Sequence, residues 1–85
     1  MSYRVVITRS AEKELDRLPE PHFGRLAARI LDLERVPRPR GCRKLQGSDG
    51  WRLRVADYRV LYDIDDAAKV VKIAAVLHRS VAYRR

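Results

Sequence analysis

Arg52 and Arg54 flank Leu53 in a run, Trp51–Tyr62, that alternates strictly at its start. In extended backbone successive side chains point to opposite faces, so Trp51, Leu53 and Val55 fall on one side and the two arginines on the other. Ala56-Asp57 makes a short turn, and Tyr58–Asp63 returns as a second strand carrying Arg59. The product is a hairpin with an apolar side and a side holding two or three guanidinium groups. A guanidinium is planar and suited to bidentate contact with phosphate or carboxylate. Fixed beside a phosphodiester, such groups stabilise the charge that builds on phosphorus when a 2′-OH attacks it. Arg79 could join them from the C-terminal tail, and Arg43 and Lys44, just before the hairpin, add phosphate-binding charge.

Cleaving RNA in this way also needs a base for the 2′-OH and an acid for the leaving oxygen. His78 is able to do either job. Tyr83 could serve as base where neighbouring cations favour its phenolate. Each of these residues also has a plain structural role open to it. A strand face bearing arginines is also what a solvated face looks like, Trp51 fits a core better than a base-stacking platform, His78 could merely end a strand, and Tyr83 could pack on a sheet edge. The residues alone reach a basic domain with a phosphate-binding face, and leave catalysis open.

Charge and composition narrow the partners. The chain has 85 residues and a formal net charge of +8, with fifteen of its nineteen cations arginine. Residues 1–34 are neutral overall, residues 35–59 carry +6, and residues 60–85 carry +2. The excess therefore centres on the hairpin and the loop before it, a field that favours a polyanion or an acidic protein. One domain spans residues 1–85, because a chain this short buries only about 60–65% of its unfolded surface and has no room for two cores. No apolar run approaches the ~20 residues of a membrane span, and MSYRVVITRS lacks the apolar stretch of a signal peptide. We expect no membrane association and a cytoplasmic location. Cys42 is alone and His22 and His78 are the only histidines, so we expect no disulfide, no metal site and no cofactor.

The elements that must position the arginines follow from periodicity and breakers. Tyr3–Thr8 reads as a strand. Ser10 can cap a helix that runs through Leu18, with Ala11, Leu15 and Leu18 on one face. Pro19-Glu20-Pro21 ends it and starts a second helix to about Glu34, whose stripe of Phe23, Leu26, Ala27, Ile30, Leu31 and Leu33 suits packing on a sheet. Val36–Gly41 holds two prolines and is a loop, followed by a turn-rich approach through Gly50. After the hairpin, Asp65–Ala68 is a turn and Lys69–Leu77 a largely apolar strand. The expected order is β-α-α-β-β-β. This is an α+β two-layer domain, with a mostly antiparallel sheet and the N-terminal helical hairpin on one face.

Four pieces of the chain, YRVVITRSAEKELDRLP, RKLQG, WRLRVADYRVLYDIDD and VLHRSVAYRR, in this order of elements, resemble the RelE/ParE superfamily of bacterial toxins. The resemblance covers essentially the whole length. It implies a RelE-like fold and a small cytoplasmic toxin of a type II toxin–antitoxin system, whose surface is wrapped by a cognate antitoxin. RelE-like members are mRNA interferases: they enter the ribosomal A site, cut mRNA and inhibit translation. By position, the resemblance gives Arg52 and Arg54 the task of orienting the phosphate and Arg59 that of stabilising the transition state. It makes Arg79 acid or charge donor and Tyr83 base. Here arginines stand where relatives often have lysine, and Tyr83 lies close behind Arg79, which makes His78 the fallback base. The alternatives are a ParE-like toxin that inhibits DNA gyrase without cutting RNA, or an inactive member that binds its antitoxin as a co-repressor and meets DNA only through it. The expected partners are the ribosome and mRNA, and an antitoxin with an acidic or amphipathic helical segment to neutralise the +8 surface.

Overall fold

The computed structural model describes residues 2–82. Its first half runs β1 (Arg4–Ile7), α1 (Arg9–Asp16) and α2 (His22–Asp32). The second half is β2 (Cys42–Lys44), β3 (Trp51–Val55), β4 (Tyr58–Asp65), β5 (Val70–His78) and the short α3 (Arg79–Ala82). The five strands form one sheet in the order β1-β5-β4-β3-β2, with β1 parallel to β5 and the other pairs antiparallel. The α+β expectation holds, with two additions to its order. Residues 42–44, taken as part of a turn-rich approach, pair with β3 as a three-residue edge strand, and the chain after His78 opens as a helix. Among the described residues no helix is long and apolar enough to cross a membrane.

α1 and α2 cover one face of the sheet. Ala11 and Leu15 from α1, Leu26 and Ile30 from α2, and Leu33 just after it close against Leu53, Val55, Val60, Tyr62, Val71, Ile73 and Val76. The cap of α1 is Thr8 rather than Ser10: the Thr8 side chain accepts from the Ala11 amide, which satisfies one of the free donors of the first turn. At the start of α2, Pro21 has no side-chain acceptor to offer, and the Glu20 carboxylate accepts from Gly24 N–H instead, at 3.1 Å.

The register of β4 and β5 changes once. Leu61 stands opposite Ala75 but Tyr62 opposite Ile73, so Ala74 is an extra residue in β5. Such a bulge shifts the alternation of the strand by one. Val71 and Ile73 face the helices before the bulge, and Val76 faces them after it.

The proline-rich loop before β2 is tied to the sheet at several points. The Tyr62 hydroxyl donates to the Pro37 carbonyl at 2.9 Å, and burial pushes that phenol's pKa up. Arg38 makes two hydrogen bonds to Asp66, at 2.9 and 3.3 Å, and the Tyr3 hydroxyl donates to the same carboxylate at 2.6 Å. The Arg38 bonds first, and then that of Tyr3, hold the Asp66 carboxyl down at about 2.

Candidate functional site

Cross-strand register decides which arginines meet. Arg43 stands opposite Arg52 on β2 and β3, and Arg54 stands opposite Arg59 on β3 and β4. Directly opposed residues share a face, roughly 4.5–5.5 Å apart at Cβ. Leu53, Val55, Val60 and Tyr62 turn inward to the helices, so these four arginines lie on the face that α1 and α2 leave uncovered. Leu61, Ala75 and Leu77 complete the same surface through the pairs Arg52–Leu61, Leu61–Ala75 and Arg59–Leu77. Like charges set opposite one another work against a sheet, and here two such pairs are adjacent. The arrangement is suited to holding an anion that bridges them.

The four side chains are not equally open. Arg43 and Arg54 are exposed and Arg52 is half-buried, whereas Arg59 is only 3% exposed. Its Nη1 donates to the Tyr58 carbonyl at 3.2 Å. Buried charge needs polar partners, and a guanidinium, with five donors, can find several at once. Arg59 is therefore the buried member of the Arg54–Arg59 pair. Arg79 is exposed at the start of α3, and its backbone N–H donates to the Asp57 carbonyl at 2.7 Å. That bond ties the tail to the β3–β4 turn, so Arg79 begins beside the turn end of the arginine hairpin. The turn itself puts Ala56 at φ 54°, a backbone conformation that glycine or asparagine adopts more easily.

Two other residues singled out in the sequence, Lys44 and His78, fall elsewhere. Lys44 pairs with Trp51 and lies on the opposite side of the sheet from Arg43, with Nζ 5.4 Å from the indole centroid. His78 pairs with Tyr58, on the helix side; the bulge at Ala74 turns it away from the arginines. Its ring meets Tyr58 edge to face at 5.3 Å, and Tyr58 in turn meets His22 at 5.5 Å. Nδ1 of His78 accepts from the Ser80 amide at 3.2 Å and lies 3.0 Å from the Ser80 hydroxyl. That is an N-cap for α3 built from an imidazole. Tyr83 lies outside the described residues. Alternation alone gave no sign of the bulge, and therefore none of where His78 falls. Trp51 is half-buried against the core, as its apolar side of the hairpin required.

The model of the family described as "ParE toxin of type II toxin-antitoxin system, parDE" matches residues 5–83. The chain belongs to the RelE/ParE toxin superfamily. Within it, the chain is 37% identical to Toxin RelG of Mycobacterium tuberculosis, with all of both chains covered. It is 36% identical to Toxin RelE of the same organism, over 96% of this chain and 87% of that one. Among solved structures, RelE in the archaeal RelE–RelB complex of Pyrococcus horikoshii superimposes with a TM-score of 0.84 at 38% identity, covering 93% of this chain and 97% of that one. The toxin–antitoxin complex RelBE2 of Mycobacterium tuberculosis gives 0.83 at 32% identity, covering 93% of this chain and 100% of the other. The arginine face that α1 and α2 leave uncovered is thus carried on a toxin scaffold.

Proposed function

We propose that this chain is the toxin of a type II pair that cuts messenger RNA in the ribosomal A site, in the cytoplasm, and is neutralised by a wrapping antitoxin. The observation that carries this reading is the doubled cation pairing, Arg43 with Arg52 and Arg54 with Arg59, on the sheet face that α1 and α2 leave uncovered. A phosphodiester seated between the pairs relieves their mutual repulsion and gains most when it carries an extra charge, as it does during attack by a 2′-OH. In this scheme Arg52 and Arg54 orient the phosphate and Arg59 contributes a fixed charge from beneath. Arg79 serves as acid or charge donor at the turn end of the hairpin, and Tyr83 takes the proton from the 2′-OH. The solved relatives named as RelE–RelB complexes support a RelB-like antitoxin as partner.

The test is primer extension on a reporter mRNA translated in a purified system. Wild type is expected to give ribosome-dependent cuts that vanish when Arg54→Ala is combined with Arg59→Ala. Arg54→Ala alone, at an exposed position, should lower the cleavage rate ~10²–10³-fold, by analogy with loss of an oxyanion donor. The family model's ParE description favours a second reading, gyrase inhibition. Intact mRNA under wild-type protein, with loss of gyrase supercoiling activity, would establish that reading and end the first.

A further inference from the structure

The arginine face has borders of contrasting chemistry. Towards the β4–β5 turn the same face continues into Asp65 and into Asp63, which stands opposite Lys72, so the cations there are offset by carboxylates. The far edge of the sheet is β1, where Val6 and Ile7 are 39% and 40% exposed. The near edge is β2, and it is basic on both sides: Arg43 joins the arginine face beside Arg52, while Lys44 faces the other way beside Trp51. The loop that feeds β2 adds exposed Arg40 beside an Arg38 already paired with Asp66, and residues 35–48 hold no acidic side chain. Trp51 steadies two of these cations, with the Arg38 guanidinium carbon 5.1 Å and Lys44 Nζ 5.4 Å from its ring centroid. Long cationic side chains held in this way lose less freedom when they meet an anion.

We infer that an RNA strand leaving the arginine face passes over the β2 edge and that Arg40 and Lys44 bind its phosphates on the reverse side of the sheet. The inference rests on the arginine face being a phosphate site, and it gives the bound strand a direction. Arg54 and Arg52 on β3, Arg43 and Lys44 on β2 and exposed Arg40 in the loop before it offer successive cations to a backbone, whereas the mixed-charge and apolar borders do not. Edge cations also guard a strand against pairing with another sheet, but that role makes no contribution to nucleic-acid affinity.

The test is fluorescence anisotropy with a labelled 12-nucleotide 2′-O-methyl RNA, which has no 2′-OH to attack and stays intact on the free toxin. Each single-strand phosphate contact contributes about −0.7 to the slope of log affinity against log salt. Arg40→Gln with Lys44→Gln should therefore weaken binding and flatten that slope by about 1.4. Arg40→Gln alone, which leaves the Trp51 clasp intact, should flatten it by about 0.7. Arg9→Gln with Lys13→Gln removes the same charge from α1 and should leave the slope as in wild type. An unchanged slope in the edge variants, or an equal change in the α1 variant, overturns the inference. So does loss of affinity for a labelled poly-glutamate peptide with RNA binding intact, which would assign the edge to an acidic protein. Binding is read without cleavage, so failure of the mRNA assay would end the nuclease reading and leave this result to be judged separately.

Discussion

A guanidinium keeps its charge in wet and dry surroundings alike, and the toxin uses both. Arg54 offers its charge to solvent, while Arg59, its cross-strand partner, offers the same charge from beneath the surface, held in part by the Tyr58 carbonyl. Alternation within Trp51–Val55 was enough to find the first arrangement. It could not separate the two, because burial depends on what lies over each position rather than on which face it occupies. His78 makes the point more sharply. Next to Arg79 in sequence it looked like a base for the same phosphate, yet the bulge at Ala74 turns it to the helix side. There it packs on Tyr58 and caps α3 through Ser80. His78→Ala should therefore cost stability, about 0.5–1.5 kcal/mol for the lost aromatic contact, and leave ribosome-dependent cleavage close to wild type. Thermal melts and primer extension read the two quantities separately. A variant that folds normally and no longer cuts would make the imidazole the base and would place it at the phosphate.

At the scale of elements the notable mismatch is length: β1 has four residues and its neighbour β5 has nine. Pairing runs from Arg4–Val70 to Ile7–Ile73, and beyond it β5 still has backbone groups on that side. α1 and its cap supply the missing partners. Thr8 N–H donates to the Ile73 carbonyl at 3.0 Å, the Thr8 hydroxyl donates to the Ala74 carbonyl at 3.2 Å, and the Glu14 carboxylate accepts from Val76 N–H at 2.9 Å. Thus one threonine caps the helix and extends the ladder, which is why Thr8 displaces Ser10 as the cap. Nothing in the pattern of α1 marks Glu14 for this task; only the length mismatch gives it one. β2 was missed for a related reason, since three residues after two prolines carry too short a pattern to distinguish a strand from a loop. Glu14→Ala should lower stability by about 1.5–3 kcal/mol, the range for a hydrogen bond to a charged group that leaves its partner unsatisfied. For a domain of this size that is a fall of about 4–8 °C in Tm per kcal/mol. Glu14→Gln keeps the acceptor oxygen and should recover most of the loss. A calorimetric Tm for Glu14→Ala equal to wild type would show that water replaces the carboxylate at no cost.

The molecule as a whole divides its surface by chemistry. Helices and sheet close one core, the uncovered face and the β2 edge collect the positive charge, and the β1 side keeps exposed apolar groups, with Leu31 on α2 as well as Val6 and Ile7. The neutral residues 1–34 and the +6 of residues 35–59 already carried part of this division, because β1 comes from the first stretch and β2 and β3 from the second. What the sequence could not supply was the order of strands, which sets β1 and β2 at opposite edges and keeps the two surfaces apart. A partner that neutralises this toxin must meet the basic side with negative charge. Its encounter is then steered by a field that salt screens, with a Debye length of about 30 Å at 0.01 M ionic strength and 8 Å at 0.15 M. Steering acts on approach, so the association rate should fall steeply over that range. Dissociation depends on short-range contacts formed after docking, and its rate should change far less. Stopped-flow mixing of toxin and purified antitoxin at several salt concentrations measures the first, and dilution or competition measures the second. An association rate indifferent to salt, with dissociation carrying all the change, would mean that the antitoxin docks through apolar surface and that the +8 charge serves RNA alone.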